Sequence, residues 1–165
     1  DEGTKARKNY LIKNGILAGR LHSGQTAAAL GENLTGNARA IDCTFEPIVR
    51  MTTTYIEPGD QTFEQLIAPI QKGYYIKTIS HGSGMSTFTI APRLAYEIEN
   101  GHLGKPTQIS VITGSVFETL GLIDGLSNEL TLLSFVTGGC GKMEQQGLPV
   151  GFGGPCVRVS EMNVQ

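Results

Sequence analysis

Two Asn-Gly dipeptides, Asn14-Gly15 and Asn100-Gly101, each lie in the middle of a segment of alternating apolar residues. A two-residue hairpin turn of type I′ requires positive φ at both central positions, and Asn and Gly tolerate it better than other residues. The flanking segments, Tyr10–Leu17 and Tyr96–Leu103, also resemble one another. We therefore predict two β-hairpins, and the repeat suggests the hypothesis of a diverged internal duplication.

Short helices are predicted between the strands. A capping box, in which a hydroxyl residue precedes an acid or amide by three positions and satisfies free helix amides, begins at Thr62 and at Ser115. The apolar side chains that follow are expected to form one buried face in each helix. Pro69 interrupts the first of these helices, where we expect a kink or an early end because proline has no N–H to donate. A third helix is predicted over Ser23–Leu30, closed by Gly31.

Most of the remaining apolar segments are predicted to be strands, since β-branched side chains suit a pleated, half-buried surface. Examples are Tyr74–Ile79, Thr87–Ile90 and Leu130–Val136. The 22 glycines indicate many tight turns, and the stretch from Gly138 to Gly154 is predicted to be a loop. The sequence thus predicts an α+β fold, mainly antiparallel sheet with two or three short helices, in a single domain over residues 1–165.

Charge and cysteine content limit the classes of function. The formal net charge is −2 and the Lys and Arg residues are scattered, so the chain has no basic stripe to neutralise a nucleic-acid backbone. No segment has the apolar length that spans a bilayer or the pattern of a signal peptide. Three cysteines at distant positions make no disulfide framework, and reduced thiols are typical of the cytosol. We expect a cytoplasmic protein that binds neither nucleic acid nor membrane directly.

The segment Gly138-Gly139-Cys140-Gly141-Lys142 gives the strongest indication of chemistry. Glycine lets a ligand approach the backbone closely, and a neighbouring ammonium favours the thiolate, the nucleophilic and metal-binding form of cysteine. No second Cys or His lies at a metal-ligand spacing from Cys140. We therefore interpret the segment as part of a site whose other members lie outside the chain. The alternative is a buried cysteine that only packs.

His81 lies in a Ser-His-Gly-Ser-Gly segment between two predicted strands. A histidine in such a loop can reach a cleft and exchange protons near neutral pH, and the alternative is an exposed turn histidine. Cys140 and His81 acting together as nucleophile and base form a further hypothesis, although their spacing does not report their distance. No glycine-rich phosphate motif leads into a helix, so nucleotide binding is not expected.

Several short motifs occur along the chain in a fixed order; they are Asn14-Gly15, Leu34–Arg39 (L-T-G-N-A-R), Arg50–Gly59 (R-M-T-T-T-Y-I-E-P-G), Tyr96–Gly101, Gly139–Lys142 (G-C-G-K) and Leu148–Gly151. In this order they resemble the C-terminal part of the TldD/PmbA family, whose members are also called modulators of DNA gyrase. The resemblance covers nearly the whole chain. Subunits of the PmbA type lack the cysteine of the C-G-K motif, so this chain resembles a TldD-like member.

The resemblance implies a zinc metallopeptidase that cleaves unfolded peptides. In this family a His-Glu-x-x-x-His helix before the segment supplies two imidazole ligands and a general base, and Cys140 matches the cysteine that completes the Zn²⁺ site. Such a metal keeps one tetrahedral position for water. Gly139, Gly141, Lys142 and His81 are the candidates for substrate binding. The family also implies a homodimer or a heterodimer with a related member, and a chain that is inactive without its histidine ligands.

Two departures from the family pattern concern the substrate contacts. Thr53 stands where the family has Asn, and the segment from His81 to Phe88 is shorter than the family's glycine-rich loop. Two other functions stay open at this point. One is a non-catalytic partner subunit that shapes the cleft, and the other is a regulator that acts on a DNA-processing protein through protein contacts.

Overall fold

A computed structural model describes the backbone of residues 1–165 and every side chain except those of residues 136–138, which include Gly138 of the glycine-rich motif. The helices are α1 (Gly24–Leu30), α2 (Phe63–Ile67) and α3 (Val116–Gly121). The strands are β1 (Ile12–Lys13), β2 (Ile16–Leu17), β3 (Ala38–Arg39), β4 (Ile48–Val49), β5 (Thr53–Tyr55), β6 (Lys72–Gly84), β7 (Thr87–Glu99), β8 (His102–Thr107), β9 (Ile112–Ser115), β10 (Ile123–Leu126), β11 (Thr131–Lys142), β12 (Gln145–Gly154), β13 (Val157–Val159) and β14 (Asn163–Val164). This mainly antiparallel arrangement with three short helices confirms the predicted α+β class.

The chain forms two compact units, each assembled from two separate segments. The first unit contains Asp1–Tyr55 and Leu132–Gly153, and the second contains Ile56–Thr131 and Gly154–Gln165. That residues 1–165 form a single domain stays a prediction. In the described chain, no helix is long and apolar enough to cross a membrane.

The second unit is built on β7, which is 13 residues long. One edge of β7 pairs with β6 along most of its length, and the opposite edge is shared by β9 near its start and β8 near its end. Strand β14 extends the sheet by pairing with β9. Ala95, Ile109 and Ile112 form a buried apolar cluster in this unit.

In the first unit, β11, β12 and β5 form a three-stranded sheet in that order. Strand β12 pairs with β5 in parallel, with Gly151 opposite Thr53. The ring of Phe135 on β11 stacks on that of Phe152 on β12, with 5.0 Å between centroids. The sheet therefore joins the early part of the chain to a segment near its end.

Both predicted hairpins are confirmed. Asn14 and Gly15 have φ of 52° and 74° at the turn between β1 and β2, and Asn100 and Gly101 have φ of 49° and 77° between β7 and β8. Positive φ at both positions is what a type I′ turn requires. The internal duplication stays a hypothesis.

The first two helices follow their sequence signals. Ser23 caps α1 through a hydrogen bond from the Thr26 amide, and Gly31 ends the helix in the left-handed region with φ of 64°. Thr62 caps α2 by accepting from the Gln65 amide. This helix ends at Ile67, before Pro69, which confirms the early end.

The prediction for α3 is wrong in two respects. Among the described atoms Ser115 makes no side-chain capping bond; it is the last residue of β9, where it pairs with Thr87. The apolar side chains of α3 do not form a buried face either, since Phe117 is 81% exposed and Leu120 is 40% exposed. The six residues of α3 include no buried one, whereas the five-residue α2 buries Leu66 and Ile67.

The predicted loop from Gly138 to Gly154 is also wrong. Strand β11 continues to Lys142, the turn is at residues 143–144, and β12 begins at Gln145. Glycine weakens the intrinsic preference for a strand, but pairing with neighbouring strands overrides that preference here.

Candidate metal and substrate site

Cys140 lies near the end of β11 as a free, half-buried thiol. Its segment is therefore part of a strand, and the prediction of a glycine loop around the thiol is corrected. Successive side chains of a strand point to opposite faces, so Lys142 lies on the same face as Cys140. The ammonium of Lys142 donates to the carbonyl oxygen of Val49 at 2.9 Å.

Arg50 contacts the backbone of Cys140 from a distant part of the sequence. Its Nη2 donates to the Cys140 carbonyl oxygen at 2.7 Å, and its side chain is almost fully buried. The Nε and Nη1 atoms have no hydrogen-bond partner among the described atoms. One N–H of this guanidinium therefore fixes the strand at the candidate ligand.

Gln145 connects the start of β12 to the same early segment of the chain. Its buried side-chain amide accepts from the Ile41 N–H at 2.9 Å and donates to the Glu46 carbonyl at 3.0 Å. Together with the bonds made by Arg50 and Lys142, it attaches the β11–β12 hairpin to residues 41–50.

Arg39 adds a third cation to this region. Its guanidinium donates to the carbonyl oxygens of Met51 at 2.6 Å and Pro149 at 2.9 Å. Burial lowers the pKa of Arg39, the charge of Arg50 lowers it further, and a negative charge on Cys140 acts in the opposite direction. The two arginines and the thiol are thus close enough to interact electrostatically.

The cationic side chains Arg39, Arg50 and Lys142 all bond to backbone carbonyls. In the part of the chain whose side chains are described, no ion pair includes any of them. A positive region without acidic partners attracts anionic groups such as peptide carboxylates. Arg50 is almost fully buried, so of these three cations Lys142 and Arg39 are the ones that present charge to solvent.

At each of the two glycines beside Cys140, a side chain would meet a neighbouring group of the chain. Gly139 has φ of 121°, and a Cβ there would lie 2.6 Å from the carbonyl oxygen of Leu148. A Cβ at Gly141 would collide with the side-chain amide of Gln146. The first position excludes a side chain because of the backbone, whereas the second is limited only by a flexible side chain.

His81 is not in a loop, as its glycine and serine neighbours had suggested, but in β6, where it pairs with Ala91 and is exposed. It belongs to the second unit, whereas Cys140 belongs to the first. Elsewhere His22 is buried and bonded to Glu32 and Thr26. No cluster of three metal-ligating side chains occurs in the described part of the chain.

Sequence reasoning gave no role to Arg50 or Gln145, although Arg50 is part of a family motif. Arg50 is the only charged residue from position 47 to 56, and a cation in an apolar stretch could have indicated a buried arginine. Gln145 carries no comparable signal, because its two partners lie 104 and 99 residues away.

The sequence profile of the PmbA/TldA metallopeptidase C-terminal domain matches residues 1–165. The chain belongs to this family. The resemblance based on the motifs is therefore confirmed. Among the relatives of this PmbA/TldA domain, a metalloprotease of Synechocystis sp. is 40% identical over 165 residues, which cover 99% of this chain and 35% of that protein. The zinc metalloprotease TldD homolog of Saccharolobus solfataricus is 34% identical over 166 residues, covering 99% and 37%.

The fold of this PmbA/TldA domain also occurs in a solved structure. The crystal structure of TldE from Thermococcus kodakarensis matches with a TM-score of 0.78 and 23% identity, covering 98% of this chain and 34% of that one. The chain spans about a third of the length of these relatives.

Proposed function

We propose that the chain is the C-terminal domain of a zinc metallopeptidase that cleaves unfolded peptides. In this proposal Cys140 supplies a metal ligand, and its surroundings form part of the substrate cleft. Family membership and the metalloprotease names of the relatives support the peptidase class. The observation that carries the assignment is the half-buried free thiol of Cys140, on a hairpin that bonds of Arg50, Lys142 and Gln145 attach to residues 41–50.

The donor chemistry fits zinc if other ligands come from elsewhere in the complete protein. A catalytic zinc site has three protein ligands and a water, and sulfur from cysteine is among the ligands it accepts. Cys140 offers one sulfur, on a half-buried residue. When bound, the metal lowers the pKa of its water and polarises a peptide carbonyl.

The residues around Cys140 have separate roles in this proposal. Gly139 and Gly141 are proposed as backbone contacts of the peptide, for which the flexible Gln146 side chain beside Gly141 would move aside. Lys142 is exposed and uses one N–H on Val49, which leaves two N–H groups for a substrate. His81, also exposed, is proposed as a further substrate contact.

We also propose that the complete protein acts in the cytoplasm as a homodimer or as a heterodimer with a related family member. Light scattering on the complete protein, alone and mixed with such a member, measures the mass of the assembly. A monomer under both conditions would reject the dimer.

The metal ligand is tested by Cys140→Ser in the complete protein. We expect the variant to lose stoichiometric zinc, measured by mass spectrometry of the metal, and to lose cleavage of an unfolded fluorogenic peptide. Cys43→Ser is the matched control, because Cys43 is an exposed free thiol of the same unit. Full zinc content and cleavage in Cys140→Ser would reject the assignment.

The same assay separates the competing mechanisms. Cleavage that resists chelators but is abolished by thiol alkylation would support a Cys140–His81 hydrolase without metal. Complete wild-type protein that neither binds zinc nor cleaves peptide alone, but is required by a catalytic partner, would support the non-catalytic subunit. The lack of a three-ligand cluster among the described side chains fits that alternative as well as the main proposal.

A further inference from the structure

Arg50 is a buried cation that contacts the backbone of Cys140 and, among the described side chains, pairs with no carboxylate. Its side chain is 2% exposed, and two of its three nitrogens have no partner among the described atoms. Burying a charge without a paired opposite charge is unfavourable. Its only described side-chain hydrogen bond is the one to the Cys140 carbonyl. Fold stability alone is therefore a poor explanation for an arginine at this position.

The backbone of Arg50 is itself fixed. Its N–H donates to the Asn37 carbonyl at 2.8 Å, and the Asn37 side-chain amide donates to the Arg50 carbonyl at 3.3 Å. Asn37 is 5% exposed, and its side-chain oxygen accepts from Asn9 at 3.4 Å. The guanidinium therefore extends from a residue whose backbone N–H and carbonyl oxygen are both bonded to Asn37.

Strand β11, which Arg50 contacts, is paired with another strand along one edge in the described backbone. Strand β11 is the terminal strand of its three-stranded sheet, so in the described backbone one of its edges has no strand partner. The bonds from Arg50 to Cys140 and from Lys142 to Val49 join β11 to a segment about 90 residues earlier. They lie on either side of Gly141, a position without a side chain to pack.

We propose that Arg50 is a positioning residue for the metal site, which holds the Cys140 backbone so that the thiol keeps one orientation. The inference rests on the proposed role of Cys140 as a zinc ligand. Groups that orient a metal ligand contribute to metal affinity without touching the metal, and removing one typically costs about 10- to 100-fold in affinity. Arg50 would act on the metal through Cys140 alone.

The test compares Arg50→Met and Arg50→Lys with wild type in the complete protein. Zinc affinity is measured by competition with a chromophoric chelator. The sulfur-to-cobalt charge-transfer band of the Co²⁺-loaded protein reports the metal–thiolate bond directly. We expect Arg50→Met to lower zinc affinity by about 10- to 100-fold and to alter the cobalt band. Arg50→Lys keeps a charged donor, so its zinc affinity and cobalt band should lie between those of Arg50→Met and wild type.

Arg158→Met is the matched control. Arg158 also donates to a backbone carbonyl, that of Leu66 at 2.8 Å, but it lies in the second unit and pairs with Asp124. The control should lower the melting temperature and leave zinc affinity and the cobalt band unchanged. A loss of metal affinity caused by general destabilisation would appear in both arginine variants.

Two results would overturn the inference. The first is a folded Arg50→Met protein with wild-type zinc affinity and cobalt band; if only Arg50→Lys folds, the same criterion applies to it. The second is failure of both variants to fold, which would make Arg50 a structural requirement. If Cys140→Ser keeps its zinc, the proposed function fails whatever Arg50 does. If Cys140→Ser loses zinc while Arg50→Met matches wild type, only the present inference fails.

Discussion

The side chain of Gln145, the first residue of β12, donates to the backbone carbonyl of Glu46 at 3.0 Å. The same amide accepts from the Ile41 N–H at 2.9 Å, and Gln145 is only 4% exposed. One buried amide thus satisfies two backbone groups of a segment that has little regular structure. It also fixes the start of β12, three residues after Lys142.

Replacing Gln145 with Leu should destabilise the complete protein. The substitution leaves the Ile41 N–H and the Glu46 carbonyl without partners, and an unsatisfied buried group costs about 1–3 kcal/mol. Urea unfolding followed by fluorescence measures the change. Gln146→Leu is the control, because Gln146 is exposed and its described side-chain bond stays within the turn, to Met143. Its effect should stay within about 0.5 kcal/mol, and equal losses in the two variants would contradict the prediction.

Alanine at Gly139 and at Gly141 should have different effects. At Gly139 the φ of 121° and the Leu148 carbonyl force the backbone to move, so we expect a loss of about 1–3 kcal/mol. At Gly141 the obstacle is the end of the flexible Gln146 side chain, and the free energy of unfolding should change by less than about 1 kcal/mol. Urea titrations of both variants measure the two changes in the free energy of unfolding, and equal changes would contradict the prediction.

The Gly141→Ala variant also tests the substrate role of this segment. If a peptide approaches the backbone here, the added methyl group should raise KM for peptide cleavage while the protein stays folded. Unchanged KM and kcat would remove Gly141 from the substrate site.

Thr62→Ala should cost more than Ser115→Ala. The Thr62 hydroxyl accepts from the Gln65 amide at the start of α2, whereas Ser115 makes no capping bond. Loss of a helix cap typically costs about 1 kcal/mol. Thermal unfolding of both variants measures the two losses of stability. A larger loss for Ser115→Ala would support the capping role that the sequence predicted for Ser115.

Stability should depend on pH through Glu32. The hydrogen bond with His22 lowers the pKa of Glu32 below its ordinary 4.5, and the charge of Arg20 lowers it further, against an opposing contribution of desolvation. A depressed carboxyl pKa stabilises the fold above the unfolded-state value, and this contribution disappears as pH falls through the native pKa. Glu32→Gln should therefore lower the melting temperature at pH 7, and its difference from wild type should shrink below about pH 4.5.

Glu129→Gln is the control for the pH experiment. Glu129 is exposed, and in the described part of the chain its side chain forms no ion pair. Its melting temperature should follow that of wild type across the pH range. A Glu32→Gln difference that stays constant down to pH 3 would reject the linkage.

Features set by short-range chemistry could be predicted from the sequence. The Asn-Gly turns follow from the tolerance of two residues for positive φ, and the start of α2 follows from two side chains three positions apart. The same reasoning failed at Ser115, because a hydroxyl that satisfies the capping pattern can also be the last residue of a strand.

Features set by distant partners could not be predicted. Glycine-rich β12 is a strand that lies between β11 and the distant β5, and Arg50 contacts Cys140 across 90 residues. Local composition carries no information on such pairings. The motif around Cys140 was found from its residue types, but the groups that hold it were not. The same limit explains His81, whose Ser and Gly neighbours are typical of a loop although the residue lies inside a long strand.

The first unit is discontinuous in sequence, and this affects how it is made. Strand β5 cannot pair with β12 until about 100 further residues have been synthesised. At a translation rate of about 5–20 residues per second, this takes about 5–20 s. During that interval the nascent early segment lacks its partner strands and the thiol, while most of the second unit has already emerged. A truncated product that stops before residue 140 would therefore carry the arginine support without the sulfur.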